Sequence, residues 1–433
     1  MKLYKYPSVK SWPGICQRPV QNSHVILPAV NEIIYDVANN GDAALIKYAE
    51  KLDGASLKSL SVSKKEMEAA VKNIDPRLKK AIQTARKNIY QFHSAQKTVP
   101  LKIETSKGVF CWRDARPIEK VGLYIPGGSA PLFSTVLMLG VPAMIAGCKE
   151  IVLCTPPDSA GIINPAILYA ASLCGITKIY KTGGAQAITA MAYGTKTIPA
   201  VYKIFGPGNQ YVTAAKQILQ SKVAIDMPAG PSEVLVIADS TAVPAFVAAD
   251  LLAQAEHGPD SQVILVSTNE SVIKKVKEEV AIQLAQLPRQ EIATKALKHA
   301  RIVLLKDVTE AVAFSNQYAP EHLILSCKTS NALLKQITTA GSVFIGNHSP
   351  ESVGDYASGT NHTLPTNGYA TAYSGVSLDS FVKKITFQQL TREGLENIAP
   401  TVTTMAEAEG LQAHANAVKL RMSSVRSVKA GKS

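Results

Sequence analysis

The sequence predicts an α/β protein with two doubly wound, Rossmann-like parallel-sheet domains, an N-terminal helical layer and a C-terminal helical tail. Three observations carry this reading. From about Arg116, short β-branched runs are each followed by a turn containing Gly or Pro and then a longer helical segment, a rhythm that builds parallel sheets covered on both faces. The rhythm starts afresh at Glu233. At 433 residues the chain also exceeds what one core ordinarily holds, so more than one domain is expected.

In chain order, the region 1–118 reads as helical and is expected to pack on the first α/β domain. Its segments Ala29 to Leu52, Lys64 to Asn73 and Arg77 to Gln96 carry apolar residues at three- and four-residue spacing. The region 119–231 holds strands at Lys120 to Tyr124, Glu150 to Cys154, Lys178 to Lys181 and Tyr202 to Phe205, with helices from Pro131, Ile163, Ala185 and Gln210. The region 232–375 repeats the pattern with strands at Glu233 to Ile237, Gln262 to Ser267, Arg301 to Leu305, His322 to Ser326 and Ser342 to Ile345. After about Pro365 the strands are expected to stop. The region 376–433 then reads as a helical tail, Leu378 to Leu395 and Val402 to Arg426, too polar for a core of its own and suited to packing on another domain or subunit.

Composition narrows the function classes. With 46% hydrophobic and 18% charged residues the chain is of the soluble globular type. Its longest apolar stretch, Pro131 to Cys148, is broken by Ser134, Thr135, Gly140, Pro142 and Gly147, short of the roughly 20 continuous apolar residues of a membrane span. Met1 to Gln17 lacks the form of a secretory signal, so a cytoplasmic location is expected. Cys16, Cys111, Cys148, Cys154, Cys174 and Cys327 form no CxxC pair and mostly sit in apolar contexts, as core residues in a reducing compartment do. The net charge of +13 is dispersed except at Lys419, Arg421, Arg426, Lys429 and Lys432. No aromatic residues interleave with these charges to stack on bases, which favours a solvated tail over a nucleic-acid surface.

Three successive strand-to-helix turns are rich in glycine: Tyr124-Ile-Pro-Gly-Gly-Ser129, Thr182-Gly-Gly-Ala-Gln186 and Phe205-Gly-Pro-Gly-Asn209. Helix N-termini at such turns bind anions and nucleotides, but none of the three supplies the full dinucleotide fingerprint. Nucleotide binding and tight structural turns remain equal readings.

The residues suited to chemistry fall in four places. Gln254 and His257 stand three apart at a helix end before Gly258, sharing a face that could hold one ion or merely placing His257 on the helix dipole. In Tyr318-Ala-Pro-Glu-His322 an adjacent Glu and His enter an apolar strand, as an acid/base pair or as a cap beside a satisfied His. Asp355 and His362 lie on a long polar loop that follows a strand, and loops of that length in α/β domains are usually functional. His414 lies on a helix with Glu407 nearby and, alone, suggests only an exposed histidine.

Taken together, Gly122 to Thr135, Ile204 to Asn209, Asp226 to Val234, Gln254 to Asp260, Ala319 to Leu323 and Gly354 to His362 resemble the histidinol dehydrogenase family over nearly the whole chain. Asn367 to Val376 follows the family pattern only in part. The resemblance implies NAD-dependent oxidation of L-histidinol through L-histidinal to L-histidine, the last step of histidine biosynthesis. It further implies one divalent ion per subunit, normally Zn2+ with Mn2+ or Co2+ as substitutes, held by Gln254, His257, Asp355 and His414. His414 would come from the other subunit, making the protein a homodimer with shared active sites. Glu321 and His322 would be the acid/base residues. Ser232, Gln254, His257, His322, Asp355, Glu409 and His414 would contact histidinol, and Tyr124, Gln186 and Asn209 would contact NAD. No nucleic acid or membrane partner is implied.

Two rival classes differ in observable ways. A thiol-dependent aldehyde dehydrogenase would need a nucleophilic cysteine, and a basic nucleic-acid-binding protein would bind in a salt-sensitive way without dehydrogenase activity.

Overall fold

The computed structural model describes residues 1–18, 23–127 and 131–430. Gly128 and Ser129 of the first Gly-rich turn and Lys432 of the basic cluster lie outside the described residues, as do the side chains of Arg426 and Lys429. The strands, in chain order, are β1 (Lys2–Lys5), β2 (Ile103–Ser106), β3 (Val109–Pro117), β4 (Lys120–Tyr124), β5 (Glu150–Thr155), β6 (Lys178–Lys181), β7 (Lys203–Phe205), β8 (Ala224–Ile225), β9 (Glu233–Ala238), β10 (Gln262–Ser267), β11 (Arg301–Leu304), β12 (His322–Ser326), β13 (Ser342–Ile345) and β14 (Val382–Leu390). By their contacts the residues form two compact units, Met1–Gln96 with Ile118–Phe381, and Lys97–Pro117 with Val382–Ser433.

The first unit contains two parallel sheets, ordered β6-β5-β4-β7-β8 and β1-β11-β10-β9-β12-β13. In each the strand order reverses about one central strand, β4 or β9, which is the doubly wound arrangement. The six residues of β9 are all buried, with Val234, Val236 and Ala238 in one hydrophobic cluster and Leu235 and Ile237 in the opposite one. A strand sandwiched by helices therefore reads as a continuous apolar run although its side chains still alternate.

The N-terminal helices are Ser23–Asn40, Asp42–Asp53, Lys64–Asn73 and Pro76–Ser94. Gly41, at φ 52°, divides the single helix expected over Ala29 to Leu52. Ser63 and Glu66 form a capping box. Asp75 caps the last helix ahead of Pro76, and Ile82, Ala85, Ile89 and His93 form its buried stripe. The N-terminal region is not wholly helical. β1 joins the second sheet, pairing residue by residue with β11, and at four residues it is too short to reveal itself by periodicity.

The second unit corrects the expectation of an entirely helical tail. Val382–Leu390 is a strand, paired antiparallel to β3 from Val382 opposite Pro117 to Leu390 opposite Val109. Its β-branched Val382, Ile385 and Thr386 suit a pleated surface, and Phe387 stacks on Trp112 with ring centroids 5.3 Å apart. That pairing is set by a segment far back in the chain, beyond the reach of a local pattern. The helices Arg392–Ala408 and Gln412–Ala430 follow, with Lys419 paired to Glu407.

Candidate functional site

The acidic and basic groups converge at the amino ends of β9, β12 and β13, the opposite edge from the one where open α/β sheets usually bind ligands. The chain approaches β12 through Ala319, held in the left-handed region at φ 51°, and Pro320. Glu321 and His322 follow, both buried. Helices return antiparallel to the strands, so Pro244–Ala255 after β9 delivers Gln254 and His257 to the same edge. The helix Glu351–Tyr356 after β13 delivers Glu351 and Asp355.

His322 is fixed by its main-chain neighbour. Its Nδ1 lies 3.1 Å from the carbonyl oxygen of Glu233, an oxygen that can only accept, so Nδ1 carries the proton and the neutral ring leaves its lone pair on Nε2. That Nε2 is buried without a partner, 3.8 Å from an Asp355 carboxylate oxygen. Burial is the main cause that lowers the imidazole pKa to about 4, against the opposing pull of Asp355, so the ring is a neutral base at physiological pH. Glu321 accepts the main-chain N–H of Glu233 at 2.8 Å, and burial, with the charges of Glu233 and Asp355 added, pushes its carboxyl well above the usual range.

Gln254 is fully buried; its Oε1 has no hydrogen-bond partner, and its Nε2 lies 3.4 Å from His257 Nδ1. His257 is exposed. An orphaned amide oxygen beside an imidazole suits one side of a divalent-cation site, with mixed nitrogen and oxygen donors that accept zinc, manganese or cobalt, and Asp355 enters the cluster against His322 and His362. A second grouping overlaps this one: ligand atoms of His322, Glu351 and Asp355 lie within 4.8 Å of one another. Glu351 is the weaker donor, because burial, reinforced by Asp355, Glu321 and Asp250, pushes its carboxyl well above the usual range and disfavours the carboxylate that a metal would need.

Ser232 is half-buried at the head of β9, its carbonyl receiving the N–H of Gln262. Glu409 and His414 belong to the second unit and are exposed around the turn between its two helices. Ser232, Gln254, His257, Glu321, His322 and Asp355 all belong to the first unit, with direct contacts linking Gln254 to His257 and His322 to Glu321 and Asp355. His362, which the sequence left undecided, closes the same cluster: Nδ1 is 2.9 Å from the Asp355 carbonyl and Nε2 is 3.1 Å from Thr135 Oγ1. Glu351, Asp250 and Glu233 carried no sequence signal, since only topology buries them together. Burial pushes the Asp250 carboxyl up to about 7.

At the carboxyl ends of β4, β6 and β7 the three Gly-rich turns border a cavity of ≈ 960 Å³ lined by Tyr124, Gln186, Asn209, Tyr48, Asp53 and Tyr211. Tyr124 Oη accepts the N–H of Gly184 at 3.1 Å, and burial lifts its pKa to about 12. Gln186 Oε1 is buried without a partner. Asn209 Oδ1 caps the helix Gln210–Ile218 through the N–H groups of Tyr211 and Val212. The structural reading of these turns is met by the Asn209 cap and the Tyr124–Gly184 contact, and the cavity leaves room for a ligand beside them. Gly206, at φ 128°, would place a Cβ 2.1 Å from the carbonyl oxygen of Tyr124, so the glycine is needed for the turn that borders the cavity.

Five of the six cysteines are poor nucleophiles. Burial pushes the thiols of Cys16, Cys148, Cys154, Cys174 and Cys327 up, the reverse of what a reactive thiolate requires. No helix among the described residues is long and apolar enough to cross a membrane.

A neutral, oriented histidine beside a buried carboxyl is suited to acid/base chemistry, and a second sheet of the same doubly wound unit borders a large cavity; comparison with known proteins makes the chain an α/β oxidoreductase. The histidinol dehydrogenase family model matches residues 16–422. A histidinol dehydrogenase of Bacteroides thetaiotaomicron is 57% identical over 98% of this chain and 100% of its own length. A chloroplastic histidinol dehydrogenase of Arabidopsis thaliana is 54% identical over 98% of this chain and 92% of its own. The crystal structure of histidinol dehydrogenase from Elizabethkingia anophelis superposes with a TM-score of 0.96 at 58% identity, covering 98% of this chain and 99% of that one. The chain belongs to the histidinol dehydrogenase family. An acetylating aldehyde dehydrogenase from Geobacillus thermoglucosidasius shares the fold alone, at TM-score 0.50 and 16% identity over 88% of this chain and 94% of its own.

Proposed function

We propose that this protein oxidises L-histidinol through L-histidinal to L-histidine, the last step of histidine biosynthesis, with two molecules of NAD as successive hydride acceptors. The observation that carries the proposal is His322: neutral through burial, its tautomer set by the Glu233 carbonyl, and its Nε2 open beside Asp355. That lone pair takes the proton of the substrate hydroxyl as hydride departs. Glu321 serves the second oxidation, in which a carboxylate takes a proton from the water that hydrates the aldehyde. Its own proton, favoured by burial, has to leave first, so the two half-reactions fall under different pH control.

Gln254, His257 and Asp355 would hold a divalent ion, zinc by preference, with His414 of a second subunit completing the set in a homodimer. When bound, the ion supplies positive charge and coordination for the imidazole and amine nitrogens of histidinol, and NAD supplies the hydride acceptor. Holding the carbinol carbon in one orientation is a large part of the available rate. Ser232 and Glu409 would make further polar contacts to the substrate, and Tyr124, Gln186 and Asn209 would contact NAD in the cavity they line. A cytoplasmic location suits the free, unpaired state of the six cysteines.

The test is to follow NADH formation with histidinol, with and without a chelator. Two NADH per histidinol, abolished by chelation and restored by added Zn2+, are expected. One NADH per substrate, or full activity in chelator, would remove the two-step, metal-dependent reading.

A further inference from the structure

Arg18 and Glu233 form an almost wholly buried ion pair behind the candidate acid/base residues. Their side chains are 15% and 1% exposed. The guanidinium donates to both oxygens of the carboxylate, the Nη2 contact being 2.8 Å. Such a two-point pairing fixes both the distance and the plane of the carboxylate. The same Nη2 donates to the carbonyl oxygens of Tyr318 at 2.8 Å and Ala319 at 3.4 Å, and the guanidinium lies over the Tyr318 ring at 4.0 Å. Arg18 therefore grips two things at once, the first residue of β9 and the left-handed bend that leads into Glu321 and His322.

The Glu233 main chain makes the other half of the link. Its N–H donates to Glu321 and its carbonyl accepts from His322 Nδ1. Its carboxylate also receives the N–H of Asn367 at 3.0 Å, tying in the loop that follows His362. A shift of the Glu233 main chain would displace one hydrogen bond to each candidate catalytic residue simultaneously; the ladder of β9 with β10 and β12 holds that main chain along the strand, and the Arg18 pair holds it at the strand's open first residue.

We infer that the Arg18–Glu233 pair is the positioning element of the site, fixing the donor angle to Glu321 and the tautomer and aim of His322 without itself touching substrate. The inference rests on the reading of Glu321 and His322 as the acid/base pair. A buried pair of this kind contributes little net stability when weighed against apolar replacements, so its value lies in geometry. The two catalytic residues are adjacent in sequence and point at different tasks, and one shared anchor keeps their relative placement constant through both oxidations.

The experiment uses the zinc-loaded enzyme. Arg18→Ala is expected to lower kcat for histidinol by about 100-fold, the scale of a 1 Å misplacement of reacting groups, with KM changed less than about twofold and zinc content unchanged. Millimolar guanidinium is expected to restore part of the lost kcat, and Arg18→Lys to restore less than guanidinium does, because an ammonium cannot make the forked contact. An unchanged kcat, or a loss confined to KM or to thermal stability, overturns the inference. Where Arg18→Ala does not fold, the double variant Arg18→Met with Glu233→Gln leaves no unpaired buried charge and carries the same test, full kcat again overturning it. Failure of the underlying reading is distinct: Glu321→Gln and His322→Asn would then retain activity, whereas failure of this inference alone leaves those two variants impaired and Arg18→Ala active.

Discussion

Gln254 and His257 meet across one helical turn, amide nitrogen to imidazole Nδ1 at 3.4 Å, with the amide oxygen left buried and unpartnered. If these residues hold the proposed zinc, replacing His257 by Asn is expected to weaken zinc affinity by more than the roughly 10–100-fold cost of losing an outer-shell partner, to lower zinc content, and to impair histidinol oxidation. Metal analysis after dialysis checks this. An unaltered stoichiometry would take His257 off the ligand set.

Glu321 is held by one main-chain N–H in a buried site, a setting that suits the proton transfer proposed for the second oxidation. Glu321→Gln is expected to reduce histidinal oxidation by about 10²–10⁴-fold and histidinol oxidation far less. In the parent enzyme, the histidinal rate is expected to rise with pH, since a raised carboxyl pKa means the carboxylate fraction grows as protons are removed. Parallel losses in separately assayed half-reactions, or a histidinal rate flat from pH 6 to 9, would contradict this division.

Glu351 has neither carboxylate oxygen hydrogen-bonded and is 1% exposed. Its folded-state pKa is raised above the ordinary 4.5, so the folded chain binds the proton more tightly than the unfolded one. Stability from this group is full below pH 4.5 and is lost as pH rises toward the folded value. With metal removed by chelation, Glu351→Gln is expected to flatten the fall of Tm between pH 5 and pH 9. A variant whose Tm falls as steeply as the parent's would show that Glu351 is already ionised.

Glu409, at the end of one helix of the second unit, and His414, in the first turn of the next, are both exposed, where a second copy of the chain could use them. Mixing the inactive variants His257→Asn and His414→Asn under conditions that exchange subunits is expected to restore up to about a quarter of parental activity, the share of sites that pair two intact contributions in a statistical dimer. Exchange shown by mass, with no recovery, would argue for sites built within one subunit.

Gly206 has no room for a side chain. Gly206→Ala is expected to cost about 1–3 kcal/mol from the forced backbone alone and more from the contact with the Tyr124 carbonyl, and to weaken NAD binding at the cavity the turn borders. Calorimetric unfolding with a parallel NAD titration measures both, and a folded variant with parental Tm would show that the turn relaxes.

Much of this molecule is legible in its sequence alone, for identifiable reasons. The strands of both parallel sheets announce themselves because burial on two faces leaves runs such as Val234 to Ala238 entirely apolar. β14 does not, because its polar and half-exposed residues acquire order from β3, far away in sequence. In the site, Gln254, His257, Glu321, His322 and Asp355 stand out by residue type and neighbours. Glu351 and His362 are ordinary polar residues in a loop until the fold presses one behind His322 and the other against Thr135. Arg18 is further still from recognition: it lies in an N-terminal segment whose pattern speaks only of helices, and its importance depends entirely on carbonyls and a carboxylate some 215 to 301 residues away.

The interleaving of the second unit bears on how the protein is made. Ribosomes release the chain from its amino end, so the hairpin of β2 and β3 emerges early, while the strand that covers its open side appears only as Val382–Leu390 is synthesised. Through most of translation β3 presents an unsatisfied ladder edge, the kind of surface that recruits stray strands. A nascent chain stalled before residue 382 should accordingly depend on chaperones and aggregate when released, and one stalled well past residue 390 should not.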